Sequence, residues 1–167
     1  MTFPPPAVKL VCERESVAKI TTPHDQVTYA IIGAAMRVHS RLGRGLAERH
    51  YQAALTAEML AAGLTAIEEH HVEVHDGDVW LGRLYVDHWV NECVVAEVKA
   101  VARPLGDKEL AQVITYLAAL QAPVGLLLNF GRPSLEYRRI LPPRTRQGWQ
   151  GRIGQYLWRP GGRQAED

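Results

Sequence analysis

The apolar residues of this chain change spacing along its length, and the order of these changes restricts the possible folds. Two segments with helical spacing come first, at residues 24–42 and 46–62, and a glycine follows each. Extended apolar runs then occupy residues 64–74, 79–81, 84–90 and 94–101, a third helical segment covers residues 107–120, and a compact apolar run follows at residues 124–130. This order predicts an α/β fold in which helices flank a central mixed β-sheet.

Composition and cysteine usage indicate the general class of protein. Of the 167 residues, 47% are hydrophobic and 22% are charged, which is typical of one soluble domain. The net charge of +1 excludes a uniformly basic protein, so any affinity for nucleic acid must come from local patches. Cys12 and Cys93 are far apart and predict neither a disulfide framework nor a metal cluster. We therefore expect a cytoplasmic protein without a signal peptide or a membrane span.

Proline and arginine divide the chain into three parts. Residues 1–23 contain four prolines and lack helical periodicity, which predicts an extended or disordered lead. Residues 24–141 carry the helical and extended patterns and form the predicted domain. Residues 142–167 form a basic, aromatic tail.

The tail contains residue types that bind nucleic acids. Arg144, Arg146 and Arg152 are able to neutralise phosphates, and Trp149 is able to stack on bases. The alternative is that the aromatic residues of the tail pack against the domain. The sequence leaves both interpretations open.

The apolar run CVVAEVKAV, at residues 93–101, contains a carboxylate and an amine. Because side chains alternate across a strand, Glu97 and Lys99 point to the same face. A solvated face of the sheet would explain both charges. Burial would instead require a partner or a cation, since an unpaired buried charge is costly.

A second carboxylate, Asp87, lies in the neighbouring extended run LYVDHWV. If the two runs pair as antiparallel strands, Asp87 and Glu97 share a face only when the connecting loop has an odd number of residues. We therefore predict a three-residue loop, or a bulge, instead of a two-residue turn at Asn91 and Glu92. Adjacent carboxylates repel each other and a divalent cation relieves that repulsion, so this pair with Lys99 predicts metal-assisted attack on a phosphodiester.

Two of the helical segments add polar side chains to this set. Glu48 follows Gly45 by three residues and faces inward on the second helix, where it either completes an acidic site or caps the helix at its positive end. Gln112 and Tyr116 are four residues apart and are therefore neighbours on one face of the third helix. Gln112 is either a polar residue at the core boundary or forms a hydrogen bond with Lys99, the metal-bound water or a phosphate, with Tyr116 supporting it.

These residues together resemble the GxxExxY protein family, a branch of the PD-(D/E)XK nuclease-like superfamily. The naming motif is GLAERHY at residues 45–51. The ordered series continues through Asp87, the ExK triplet at residues 97–99 and the QxxxY element at residues 112–116. The similarity extends over most of residues 27–141.

The resemblance implies a restriction-endonuclease-like core that uses Mg²⁺ or Mn²⁺. It implies that Asp87 and Glu97 bind the metal with help from the Val98 carbonyl, and that Glu48 completes the acidic site. Lys99 would then lie at the scissile phosphate. The implied catalytic residues are Glu48, Asp87, Glu97, Lys99, Gln112 and Tyr116.

A separate metal site is conceivable in the run EEHHVEVH. Glu69, His71, Glu73 and His75 share one strand face there, so zinc binding is one explanation and a solvated edge strand is the other.

Two functions from different classes fit the sequence. The first is a Mg²⁺- or Mn²⁺-dependent nuclease that hydrolyses phosphodiester bonds, in DNA in preference to RNA. The alternative is a non-catalytic module that keeps the fold and binds nucleic acid or a protein partner, and a homo-oligomer is compatible with either. The presence of Asp87, Glu97 and Lys99 together favours catalysis, because a binding module does not need all three.

Overall fold

The computed structural model describes residues 24–142. The predicted lead at residues 1–23 lies outside the described residues, and so do the tail residues Arg144, Arg146, Trp149 and Arg152. The elements, in chain order, are α1 (Asp25–Leu42), α2 (Glu48–Ala61), β1 (Ala66–Asp76), β2 (Val79–Val90), β3 (Val94–Lys99), α3 (Asp107–Leu120), β4 (Val124–Asn129) and β5 (Glu136–Ile140).

The five strands form one mixed sheet in the order β1-β2-β3-β4-β5. β1, β2 and β3 are antiparallel neighbours, β3 and β4 are parallel, and β5 returns antiparallel to β4. The parallel pair requires a long connection, which α3 supplies. The predicted α/β fold with a central mixed sheet flanked by helices is therefore confirmed.

Apolar side chains on both faces of the sheet form two cores. The first core joins α1 and α2 to one face, and its largest buried members include Ile31, Val38, Tyr51, Leu55, Met59, Leu126, Leu128 and Phe130. The second core joins α3 to the other face through residues that include Val86, Val95, Val113, Tyr116, Leu117 and Leu127. The central strands β3 and β4 are covered on both sides, which explains their nearly continuous apolar sequences.

Two predicted boundaries differ from the observed ones. The extended runs on either side of Gly82 belong to one strand, β2, because Gly82 adopts a positive φ of 142° without leaving the β1 ladder. The neighbouring register shift between Val74 and His75 absorbs the irregularity as a bulge. The second helix begins at Glu48, two residues later than predicted, because the preceding residues form a loop.

Two further expectations concern the cysteines and a membrane span. Cys93 is buried in the turn before β3 and is disulfide-bonded, which corrects the expectation that the cysteines form no disulfide framework. The other cysteine, Cys12, lies outside the described residues. Cysteine usage therefore gives no support to a reducing compartment. Between residues 24 and 142, no helix has both the length and the apolar character needed to cross a membrane.

Candidate active site

The turn between β2 and β3 sets the pairing of the two central carboxylates. It contains three residues, 91–93, as the parity argument predicted. The paired residues farthest from the turn are His88 and Ala96, and continuing this register by one position beyond the ladder places Asp87 opposite Glu97. The odd-numbered turn thus brings two carboxylates together from strands that are only three residues apart in sequence.

Asp87 lies between two residues of β2 whose side chains face opposite sides of the sheet. His88 contacts α2 on one face, whereas Val86 belongs to the core beneath α3 on the other. On β1, the register places Glu69 opposite Asp87, and Glu69 has a left-handed φ of 49°. The Asp87 carboxylate accepts the backbone N–H of Val98 at 2.8 Å. Asp87 therefore points toward β3 at a kink that regular strand alternation does not predict.

Glu97 is the most deeply buried charged residue of the site. It is 1% exposed, and its Oε1 accepts a hydrogen bond from Lys99 Nζ at 2.7 Å. Its Oε2 is buried and has no hydrogen-bond partner in the described part of the chain. Burial and the nearby charge of Asp87 raise the pKa of Glu97 to about 7, against the opposing effect of Lys99. The interpretation of this strand face as solvated is therefore wrong at Glu97.

Lys99 lies at the end of β3 and is half-buried. Burial alone would lower the pKa of its amine, but the hydrogen bond and charge of Glu97 outweigh it, and the charges of Glu48 and Asp87 add to the effect. The net direction is a raised pKa, so the amine stays protonated near neutral pH. The same interactions show that all three predicted carboxylates act on one amine.

Glu48 is the first residue of α2 and is partly buried. The residue before the helix, Ala47, has no side-chain capping hydrogen bond, so the capping interpretation of Glu48 finds no support. A carboxylate in the first turn still interacts favourably with the positive end of the helix. The position of Glu48 is consistent with both an electrostatic role in the helix and a role in the acidic cluster.

The contacts of Tyr51 explain the tyrosine of the GLAERHY motif. Its buried hydroxyl donates to the Gly43 carbonyl at 2.8 Å and accepts the Leu46 N–H at 3.2 Å. Its ring stacks on Phe130 with a centroid distance of 4.7 Å. These contacts fix the loop from which α2 begins, and thereby the position of Glu48. The sequence contained the motif but gave no role to this tyrosine.

The QxxxY element lies on α3, on the face that covers the site. Gln112 Nε2 donates to the hydroxyl of Tyr116 at 2.8 Å, so Tyr116 is the described partner of this amide. Burial raises the pKa of Tyr116, Gln112 opposes the rise, and the charges of Glu97 and Asp87 reinforce it. The predicted pairing of Gln112 with Tyr116 is confirmed, and the pair lies within electrostatic range of the carboxylates.

His88 is a buried polar residue that the sequence argument did not select. Its Nε2 lies 2.9 Å from Thr56 Oγ1 and 3.3 Å from the Gln52 carbonyl. Burial lowers the pKa of His88. The imidazole therefore connects α2 to β2 immediately beside Asp87. The only available signal was a histidine within the apolar run LYVDHWV.

The donor atoms of the acidic cluster fit a hard divalent cation. Within residues 24–142, no three His, Cys, Asp or Glu side chains converge as a complete metal site. Mg²⁺ does not require such a set, because it keeps several waters and often uses only one or two carboxylates. The unpartnered Oε2 of Glu97 beside Asp87 provides a suitable acceptor atom. These residues therefore fit Mg²⁺ or Mn²⁺ better than zinc, which prefers a closed set of nitrogen and sulfur ligands.

The alternative zinc site on β1 finds no support either. Glu73 accepts hydrogen bonds from Arg83 and from the indole of Trp80, across the β1–β2 hairpin. Within the described range, no three His, Cys, Asp or Glu side chains converge on this strand either. The solvated edge strand is the better explanation of this run.

The mixed sheet, its helical layers and the paired carboxylates at the kink of β2 define a restriction-endonuclease-like α/β protein. A family model described as the PD-(D/E)XK nuclease superfamily matches residues 25–140, and the chain belongs to this superfamily. The match does not resolve the GxxExxY branch.

Two further comparisons with known proteins are less informative. The crystal structure of SSO0001 is 17% identical over 77% of this chain and 71% of that chain, with a TM-score of 0.38. No curated protein matches the chain significantly.

Proposed function

We propose that this protein is a Mg²⁺- or Mn²⁺-dependent nuclease that hydrolyses phosphodiester bonds, with DNA as the favoured substrate. The observation that carries the proposal is the buried Glu97 carboxylate, which faces Asp87, is hydrogen-bonded to Lys99 and has one oxygen without a partner among residues 24–142. Membership of the PD-(D/E)XK nuclease superfamily supports the same reaction class.

The residues that would hold the cation are Asp87, Glu97 and the Val98 carbonyl, with Glu48 nearby. A bound cation supplies a water of lowered pKa and neutralises charge on the phosphate. It would also take the place of the proton that Glu97 otherwise retains up to about pH 7. The unfavourable burial of two adjacent carboxylates thus becomes favourable when a cation is bound.

Lys99 has the charge and position to bind a phosphate oxygen. Its amine stays protonated and is held by Glu97 at the end of β3. A fixed cation of this kind stabilises the negative charge that develops on phosphorus during attack by water. On the facing helix, Gln112 and Tyr116 form a hydrogen-bonded pair that would orient the substrate or the attacking water.

The test is cleavage of linear, circular and single-stranded DNA, and of RNA, by the full chain with Mg²⁺, Mn²⁺ or EDTA. We expect metal-dependent cleavage of at least one substrate. Asp87→Asn and Glu97→Gln should weaken metal binding and abolish cleavage, whereas Lys99→Met should abolish cleavage and leave metal binding largely intact. Asp78→Asn, in the exposed hairpin turn, is the matched acid-to-amide control.

Two results would contradict the proposal. Full activity in EDTA would exclude the metal-dependent mechanism. An absence of cleavage on all substrates, from a folded protein that binds Mg²⁺, would indicate a non-catalytic binding module instead.

A further inference from the structure

Asn129 ends β4 directly beside Lys99, and its side chain is completely buried. Its Oδ1 accepts two backbone N–H groups, those of Val101 and Gly131, both at 3.0 Å. The Phe130 N–H donates to the Lys99 carbonyl at 2.8 Å. The chain on both sides of the Lys99 position is therefore bonded to the end of β4.

The other half of the amide binds the segment that connects Lys99 to α3. We call residues 100–106 the connecting segment. Asn129 Nδ2 donates to the Arg103 carbonyl at 3.2 Å and to Glu136 Oε2 at 3.3 Å. The Glu136 carboxylate in turn accepts the Leu105 N–H, with both oxygens at 3.2 Å. Asn129 and Glu136 thus hold the connecting segment at three alternate residues.

Gly131 packs so closely against the start of the connecting segment that no side chain would fit between them. A Cβ atom added to Gly131 would lie 2.5 Å from the Val101 nitrogen and 2.6 Å from the Ala100 carbonyl carbon. On the other side, residues 102–104 are exposed, whereas Leu105 is buried in the core beneath α3. Between Ala100 and Leu105, hydrogen bonds to the side chains of Asn129 and Glu136 hold the backbone, because the exposed residues there contribute little apolar burial.

We propose that Asn129 and Glu136 are positioning residues that fix the connecting segment, and thereby hold Lys99 in register with the Gln112–Tyr116 pair on α3. The catalytic meaning of this inference rests on the proposed nuclease function. The segment joins β3, which carries Lys99, directly to the first turn of α3. Releasing it allows the strand and the helix to shift relative to each other, and a displacement of about 1 Å costs as much as a hundredfold in rate.

The test uses Asn129→Asp, which keeps the acceptor but removes both donated hydrogen bonds and sets a carboxylate against Glu136. We expect kcat to fall by about ten- to a hundredfold, while KM and Mg²⁺ affinity change little. The second substitution Glu136→Gln, added to Asn129→Asp, returns a donor to the pair and should recover much of the lost kcat. Glu73→Gln, which weakens hydrogen bonds in the distant hairpin, should leave kcat unchanged.

A second measurement does not require catalysis. Hydrogen exchange of the Val101 and Leu105 amides should accelerate in Asn129→Asp, recover in the double variant and stay unchanged in Glu73→Gln. If the wild-type protein cleaves no substrate, this pattern still supports the positioning of the segment, and only the proposed function fails. If Asn129→Asp does not fold, Glu136→Ala must lower kcat and accelerate exchange at Leu105.

Two outcomes would overturn the inference. An Asn129→Asp protein with faster amide exchange but wild-type kcat would show that the segment is held for stability alone. A fall in kcat that accompanies an equal loss of Mg²⁺ affinity, with no recovery in the double variant, would show general damage to the site.

Discussion

Replacing Glu97 by glutamine should stabilise the metal-free protein at neutral and higher pH. The carboxyl is 1% exposed and lies beside Asp87, so its ionised form is unfavourable in the folded state. Glutamine has nearly the same shape and never ionises. Its carbonyl oxygen can still accept the hydrogen bond from Lys99 that Glu97 Oε1 accepts now.

The magnitude follows from the pKa of Glu97, which rises from 4.5 to about 7 on folding. A shift of this size corresponds to about 3 kcal/mol. Because the folded-state pKa lies above the unfolded one, the folded protein binds more protons between pH 4.5 and 7, and its stability falls as the pH rises through this window. Weaker pairing of Lys99 with a neutral amide offsets part of the gain. We therefore expect Glu97→Gln to add about 1–3 kcal/mol at pH 8 and much less at pH 5.

The assay is urea unfolding at pH 5 and pH 8 in EDTA, for the wild type, Glu97→Gln and the exposed control Asp78→Asn. The wild type and the control should lose stability between these pH values, and Glu97→Gln should lose less. Added Mg²⁺ should stabilise the wild type and not Glu97→Gln, because a ligand stabilises only the state that binds it. A Glu97→Gln protein that is less stable than the wild type at pH 8 would refute the reasoning.

Substitutions at three further positions test how the site is held. Tyr51→Phe removes two loop hydrogen bonds and should lower the free energy of unfolding by about 1–2 kcal/mol in urea titrations, and it should reduce cleavage through the altered position of Glu48. Thr56→Val removes one described hydrogen-bond partner of His88 and should lower the free energy of unfolding by about 1 kcal/mol in the same titrations. A change in its Mg²⁺ affinity would report movement of the β2 kink. Glu69→Val places a β-branched residue at a left-handed φ and should cost about 1–2 kcal/mol and weaken metal binding, whereas Glu69→Gly should retain both properties. If Glu69→Val binds Mg²⁺ with the wild-type affinity, Glu69 does not influence the metal site.

Much of the fold followed from apolar spacing, because burial of one helical face or of a whole strand leaves a regular pattern. The facing of Asp87 and Glu97 was also predictable, since strand alternation turns the length of the β2–β3 turn into a parity condition. The observed three-residue turn satisfies that condition. The catalytic roles of the two carboxylates stay a prediction.

The remaining features of the site depend on long-range contacts that leave no period in the sequence. The kink of β2 brings a left-handed Glu69 opposite Asp87 on the neighbouring strand, and neither residue by itself predicts a kink. In the sequence, Asn129 is only a polar residue at the end of an apolar run, whereas its hydrogen-bond partners lie up to 28 residues away along the chain. Such roles require the spatial neighbours, because a hydrogen-bonding side chain has no sequence periodicity of its own.

The groups that hold this site in place are chemically different from the groups that would react. Glu97 opposes folding when it ionises without a cation, so it does not supply the stability that fixes its own position. The hydroxyl of Tyr51 and the amide of Asn129 are neutral, and their hydrogen bonds to backbone groups do not depend on a bound cation. The backbone around Glu48 and Lys99 should therefore keep its geometry when the cation is removed, while the Glu97 carboxylate between them changes protonation. This separation allows a cation to bind to a prepared site, without the cost of ordering the surrounding loops at the same time.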